Sequence, residues 1–328
     1  MIYHNHKKSL LCSIACCLLV GLFAQQLPQY TQFSINPYHI NPAVAGTEDF
    51  IYLQASYRSQ WSEFEGAPET MYFSGHTTLN NRAIGYKKRR RLTGSRVSMG
   101  LLLSNDKTGP LEQTSGAATF AYNFPLSQHG LRLSFGLNAG LKRFTYDPDG
   151  HTDNLLHTDD PAVQQLISKN LLNFSAGFWL YDEDFFAGLS SFQLFNTDYS
   201  EQNFDLELTS TKVFLRHYYA MLGYKLPMGD QAHLVPSILL KAVEGAPISY
   251  DLNAKLVIAD QYWLGGSYRK EDSFAFFGGL LINQRLEVTY SFDMILSKIR
   301  NAAAGSNEIH LAYRLYHQAK VICPSKFW

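Results

Sequence analysis

The stretch from Asp147 to Asp160 gathers Asp147, Asp149, Asp153, Asp159 and Asp160 with His151 and His157, oxygen and imidazole donors of the kind that hold a cation. Their order lacks the D-x-D-x-D-G run of a calcium loop, so a solvated acidic loop is the favoured reading. His217, His310 and Asp293 occur alongside several serines. A hydrolytic triad needs its nucleophile and base brought together, and the chain has no G-x-S-x-G elbow, so ordinary polar lining explains these residues better. The sharpest charge feature is the run Lys87, Lys88, Arg89, Arg90 and Arg91. Such a run reads first as a solvated loop. Beside anionic lipid head groups each charge would contribute about 1 kcal/mol, and an acidic partner would serve equally. No catalytic residue, metal ligand or cofactor is assigned, and the chain is read as non-enzymatic.

The elements that must carry these residues are strands. From Leu131 onward Leu133, Phe135, Leu137, Ala139 and Leu141 share one parity, while Arg132, Ser134, Gly136, Asn138, Gly140 and Lys142 share the other. Strand side chains alternate faces, so one face is apolar and the other polar or minimal over about 12 residues, the length that crosses a bilayer when tilted. A soluble sandwich gives the same alternation, and the rest of the chain has to decide.

Lys7 and Lys8 precede an apolar run from Leu10 to Phe23, which with Ala24 reads as a secretory signal peptide over residues 1–24. A lipoprotein cleavage at Cys16 fits poorly, because apolar sequence continues past it. Loss of that segment removes Cys12, Cys16 and Cys17 and leaves Cys323 alone, so no internal disulfide staples the exported protein. The 28 basic and 28 acidic residues offer no basic footprint for nucleic acid. With 14% aromatic residues and no other apolar stretch long enough for a membrane helix, the composition points to an outer-membrane barrel.

Strands are expected near Ile51–Trp61, Thr70–Leu79, Arg96–Asn105, Ser115–Phe124, Leu131–Phe144, Asn170–Leu180, Phe185–Leu194, Lys212–Leu226, His233–Lys241, Ser249–Ile258, Tyr262–Arg269, Ser273–Ile282, Arg285–Phe292 and Asn307–Leu315. That makes an all-β, up-and-down antiparallel transmembrane barrel of about 14 strands, an even number as single-chain bacterial barrels require. Both chain ends then lie in the periplasm. Residues 25–50 form an extended periplasmic segment, residues 51–315 the barrel and residues 316–328 a periplasmic tail. Segments Ser62–Pro68, Asp106–Leu111 and Thr145–Lys169 face outward, and the basic run faces the periplasm. Glycines on the polar parity, such as Gly136, Gly140 and Gly177, read as relief of crowding in the lumen.

The motifs QLPQYTQFSINPYHINPAVAG (Gln26 to Gly46) and YRSQWSEFEGAPET (Tyr57 to Thr70), the region of His76, SNDKTGPL (Ser104 to Leu111), RHYY (Arg216 to Tyr219), GSNEIHLAYRL (Gly305 to Leu315) and the closing ICPSKFW (Ile322 to Trp328) are long and specific. Through them the chain resembles the PorP/SprF outer-membrane proteins of Bacteroidota across essentially its whole exported length. Leu27 and Asn307 depart from the family's usual residues. The resemblance implies a non-enzymatic component of the type IX secretion and gliding machinery, set in outer-membrane lipid. It implies partners among periplasmic ring subunits or lipoproteins, or a large secreted adhesin.

Pro28, Pro37 and Pro42, with Asn36 and Asn41 before two of them, hold the segment after Gln25 extended and turned rather than helical. Such a segment either plugs the lumen and seals the barrel bottom or presents itself to a partner. The partner-binding candidates are Asn36, Pro37, Asn41, Pro42, Ala43 and Gly46, with Arg58, Trp61 and the basic run Lys87, Lys88, Arg89, Arg90 and Arg91. A general diffusion porin and an outer-membrane hydrolase are the alternative functions.

Overall fold

The computed structural model describes residues 33–48, 50–79, 94–128, 130–146, 167–195, 198–199, 211–212, 215–244, 246–297 and 303–315. Fourteen strands close a barrel: β1 (Ile51–Ser59), β2 (Glu69–Thr78), β3 (Arg96–Thr108), β4 (Leu111–Pro125), β5 (Arg132–Tyr146), β6 (Ile167–Tyr181), β7 (Phe185–Phe192), β8 (His217–Tyr224), β9 (Ala232–Val243), β10 (Ser249–Ile258), β11 (Tyr262–Arg269), β12 (Ser273–Ile282), β13 (Leu286–Ile295) and β14 (Ser306–Leu315). Each strand pairs antiparallel with its sequence neighbours, and β14 closes onto β1 through the register Ile51 to Leu315. Closure leaves no wall strand without a partner on either side, the condition for strands to cross hydrocarbon.

The alternation resolves as inside-out. On β5, Leu137 is 42% and Leu141 58% exposed, whereas Asn138 is 4% and Ser134 0%. On β14, Ile309, Leu311 and Tyr313 face out while Glu308, His310 and Arg314 are buried. The apolar parity therefore meets lipid and the polar parity meets the lumen, which excludes a soluble sandwich.

Because Ile51 pairs with Leu315, both barrel termini lie at one end, here the terminal end. Connections 182–184, 259–261 and 283–285 at that end are short and 79–95 is long, and the two longest connections, 147–166 and 193–216, join strand ends at the far end. Several strand boundaries shift by a few residues from expectation, and two of the differences alter a connection. The anticipated loop at Asp106–Leu111 shrinks to the turn residues Gly109 and Pro110, because Gly109 takes φ +54° and β3 and β4 stay paired as far as Thr108 and Leu111. The eighth strand runs only from His217 to Tyr224, and Thr211–Lys212 instead pairs with Asp198–Tyr199 in a separate two-residue ladder. The acidic stretch Asp147–Asp160, the basic run Lys87–Arg91, residues 1–24 and residues 316–328 lie outside the described residues.

The lumen is filled from the chain's own N-terminal side. Phe33, Tyr38, Ile40, Ala43, Val44 and Ala45 pack in one buried apolar cluster with Trp179 and Tyr181 of β6, Phe186 of β7, Met221 of β8 and Val235 and Leu239 of β9. Ile35 reaches the opposite wall, against Val257, Trp263, Phe277 and Leu281. Residues 33–47 thus bridge both walls as a plug.

Candidate functional site

The plug is shaped by its two Asn-Pro steps. A residue before proline is pushed toward extended backbone, and Asn41 sits at φ −149° and ψ 111°. Proline then suits the first helical position, where no N–H is required, so Pro37–His39 and Pro42–Val44 each form one 3-10 turn. Residues expected to stay extended are thereby compacted enough to enter the barrel. Asn41 caps the second turn, its Oδ1 accepting from the Ala43 N–H at 2.9 Å.

The seat is cut from missing side chains. A methyl group added at Gly136 would lie 2.3 Å from the Pro42 carbonyl carbon, and one at Gly100 would lie 2.2 Å from the Tyr38 hydroxyl oxygen. These glycines sit on β5 and β3 because the plug backbone and the Tyr38 ring occupy the space. Gly46 is constrained differently. Its φ of +72° is left-handed, and a side chain there would strike Ser98 Oγ at 1.8 Å.

Directional bonds fix the plug in register. Asn41 Nδ2 donates to the carbonyls of Phe178 at 2.9 Å and Leu189 at 3.3 Å. Ser190 Oγ donates to the Ile40 carbonyl at 2.5 Å, and Asn123 Nδ2 to the Ala45 carbonyl at 3.2 Å. Tyr181 in turn donates its hydroxyl to Asn123 Oδ1 at 3.0 Å. The Gly46 N–H donates to His76 Nδ1 at 3.2 Å, which makes that nitrogen the unprotonated one. Tyr38 Oη lies 2.5 Å from Thr119 Oγ1, and Thr119 donates onward to Asn138 Oδ1 at 2.6 Å, so the chain of donors runs from plug to wall.

The opposite wall carries charge. Arg58 bridges Asp293 at 2.8 Å and Glu308 at 3.3 Å, all three buried. Arg314 pairs with Glu287, which also accepts from the Tyr52 hydroxyl at 2.9 Å, and Lys241 meets Asp251 at 2.8 Å. Buried charges persist only when paired, so this ring holds the wall together and gives it a fixed charge pattern.

The structure brings Asn36, Pro37, Asn41, Pro42, Ala43 and Gly46 together in the plug. It places Arg58 in the buried charge ring, and Trp61 beyond β1 at the far end, where its N–H donates to Ser306 Oγ at 3.1 Å. The basic run is outside the described residues. The candidate hydrolytic residues stay apart: His217 is on β8 and His310 on β14, and Asp293 Oδ2 is committed to Arg58. Among the described residues no cluster of His, Cys, Asp and Glu could hold a metal. Sequence reading missed the seat residues Gly100, Thr119, Asn123 and Ser190. The available signal was small or polar residues on the lumen parity of neighbouring strands.

A model of the type IX secretion system membrane protein family PorP/SprF matches residues 22–313. The chain belongs to the PorP/SprF family. No curated protein matches it in sequence. In fold this PorP/SprF barrel is similar to the toluene transporter TbuX of Ralstonia pickettii, with a TM-score of 0.51 at 8% identity over 87% of this chain and 93% of that one. It also aligns with a Pseudomonas aeruginosa FadL homologue, TM-score 0.45 and 10% identity over 90% and 96% of the two chains. The P. putida toluene transporter TodX aligns with TM-score 0.47 and 8% identity over 85% and 93%. At such identities the TbuX likeness speaks for the fold alone, that of an outer-membrane β-barrel.

Proposed function

We propose that this PorP/SprF protein is a non-enzymatic, plugged barrel that binds periplasmic type IX machinery, a large secreted adhesin, or both, and so delivers proteins to the cell surface in secretion and gliding. The observation that carries the reading is the lumen: residues 33–47 bridge both walls and are bonded to β2, β4, β6 and β7. A barrel so filled suits holding partners better than passing solutes. In this reading residues 1–24 are removed on export and the terminal end faces the periplasm. The two longest connections, between β5 and β6 and between β7 and β8, leave from the other end, as on the outer side of many outer-membrane barrels. The plug then leads down toward periplasmic partners, the basic run Lys87–Arg91 belongs to the connection between β2 and β3 at the same end of the strand order, and Trp61 sits at the outer mouth.

The test is a deletion strain complemented with wild-type protein or with a variant lacking residues 33–47. The reading expects the variant to reach the outer membrane but leave the adhesin undelivered, and expects periplasmic partners to stop co-purifying with it. Normal surface delivery by the deletion strain, with slowed nutrient uptake as its defect, would remove the export role and support a porin.

A further inference from the structure

On the lipid face a groove of about 500 Å³ crosses β6 to β9, toward the far end of the short strands β7 and β8. The strand register lays out its floor. Ser191, Tyr218 and Ala242 are successive cross-strand partners on β7, β8 and β9, and Leu189, Ala220 and Leu240 form the next row toward the terminal end. Leu189 is 60% and Leu240 40% exposed, so both rows share the parity that meets hydrocarbon. Large and small residues alternate within them. Ala220 therefore lies in a trough whose banks are Leu189 and Leu240, two strand spacings or about 10 Å apart at the backbone.

One row beyond Tyr218 and Ala242 the same parity carries Arg216 before β8 and Glu244 after β9. Charged residues there mark the edge of the hydrocarbon in this sector, and Tyr218, 47% exposed, sits just inside it as interfacial aromatics do. Arg216 and Tyr218 of the RHYY stretch thus set the depth of the groove, which begins near head-group level and runs inward. Ser191 Oγ lies at that upper margin, buried and with no hydrogen-bond partner among the described residues. Unpartnered buried polar atoms are rare, and hydrocarbon supplies no water to complete the bonding. A turn about χ1 brings the hydroxyl toward the groove that Ser191 lines.

Shape decides among occupants. β6 to β9 are each paired on both sides, so no strand edge is open there to a partner strand. A helix, about 10–12 Å across, would rest on the leucine banks rather than enter the trough. An acyl chain is narrow enough to enter. Exchanging one apolar neighbour for another inside a bilayer brings no hydrophobic gain, so retention has to come from close packing and a hydrogen bond, and the groove offers both. We propose that this groove holds one acyl chain of a bilayer glycerophospholipid, its ester carbonyl accepting from Ser191 Oγ and its chain lying over Ala220 between Leu189 and Leu240. The head group then sits level with Arg216 and Glu244, and the tail points toward the terminal end. The site is on the outer face of the wall and does not depend on the export role.

Native mass spectrometry of the full-length barrel, released from nanodiscs holding equal amounts of dioleoyl phosphatidylcholine and its ether-linked analogue, tests this. One lipid should stay bound under activation that strips the rest, and its ester form should be enriched about threefold to tenfold, as one hydrogen bond implies. Ser191→Ala should bring the two forms level. Ala220→Phe should fill the trough and abolish the retained lipid, whereas Ala139→Phe, on the lipid-facing parity of β5, should leave it. If Ala220→Phe does not fold, the ratio of ester to ether forms in the wild type and in Ser191→Ala decides. No retained lipid, equal ester and ether forms on the wild type, or full retention by Ala220→Phe would overturn the proposal. A dimer mass that Ala220→Phe removes would overturn it too, and would assign the groove to a second copy of this chain.

Discussion

Asn41 occupies the space a side chain at Gly177 would need: a methyl group there would lie 2.1 Å from Asn41 Oδ1, while Asn41 Nδ2 donates to the neighbouring Phe178 carbonyl at 2.9 Å. The plug and the sixth strand are therefore matched residue to residue. Gly177→Val should displace the plug at a cost of about 1–3 kcal/mol, the usual range for overpacking, while the barrel still forms. Ala43→Cys, at a residue buried in the wild type, should react with a membrane-impermeant maleimide in the Gly177→Val chain and stay protected without it, in proteins whose native cysteines are replaced. Equal protection in both chains would show that the seat does not hold the plug.

The facing of β5 predicts an asymmetry between neighbours. Leu137→Arg puts a charge into lipid and should cost about 2–4 kcal/mol if it lies near the midplane, read as a lowered urea midpoint of the heat-modifiable form. Asn138→Ala should cost about 1 kcal/mol, since it removes the acceptor for Thr119. Arginine at Asn138, which parity alone would tolerate, is expected instead to push out Tyr38, because that part of the lumen is occupied.

Arg58→Met strands Asp293 and Glu308 together without their shared cation. Loss of about 3–5 kcal/mol is expected from breaking a buried ion pair on one side. Adding Asp293→Asn and Glu308→Gln should restore much of that stability in urea titrations. Recovery would identify the ring as a charge-matched structural unit, whereas no recovery would give Arg58 a role outside it.

Strand order fixes which connections share an end. An epitope inserted near Arg90, in the connection between β2 and β3, should stay hidden from antibody on intact cells, and one near Asp153, between β5 and β6, should be reached. Labelling at Arg90 would invert the orientation assumed for partner binding.

All fourteen strands were legible because lipid and lumen impose a strict parity that each strand carries by itself. The far-end boundaries were less so. Asp106 and Lys107 look like loop residues, yet Gly109 tightens the turn enough for both to stay paired. The plug's destination was open in the sequence because its seat is non-local. Gly100, Gly136 and Gly177 belong to different strands, and only the barrel's register sets them around Tyr38, Pro42 and Asn41. Arg58 attracted notice as part of a motif, but its role depends on two carboxylates more than two hundred residues away.

The central claim is that the lumen is closed by residues 33–47, so the barrel works by holding partners. Conductance across a planar bilayer tests it most directly. Purified wild-type protein should be silent, and a chain lacking residues 33–47 should open steady channels. Stable porin-like conductance from the wild-type protein would contradict the account.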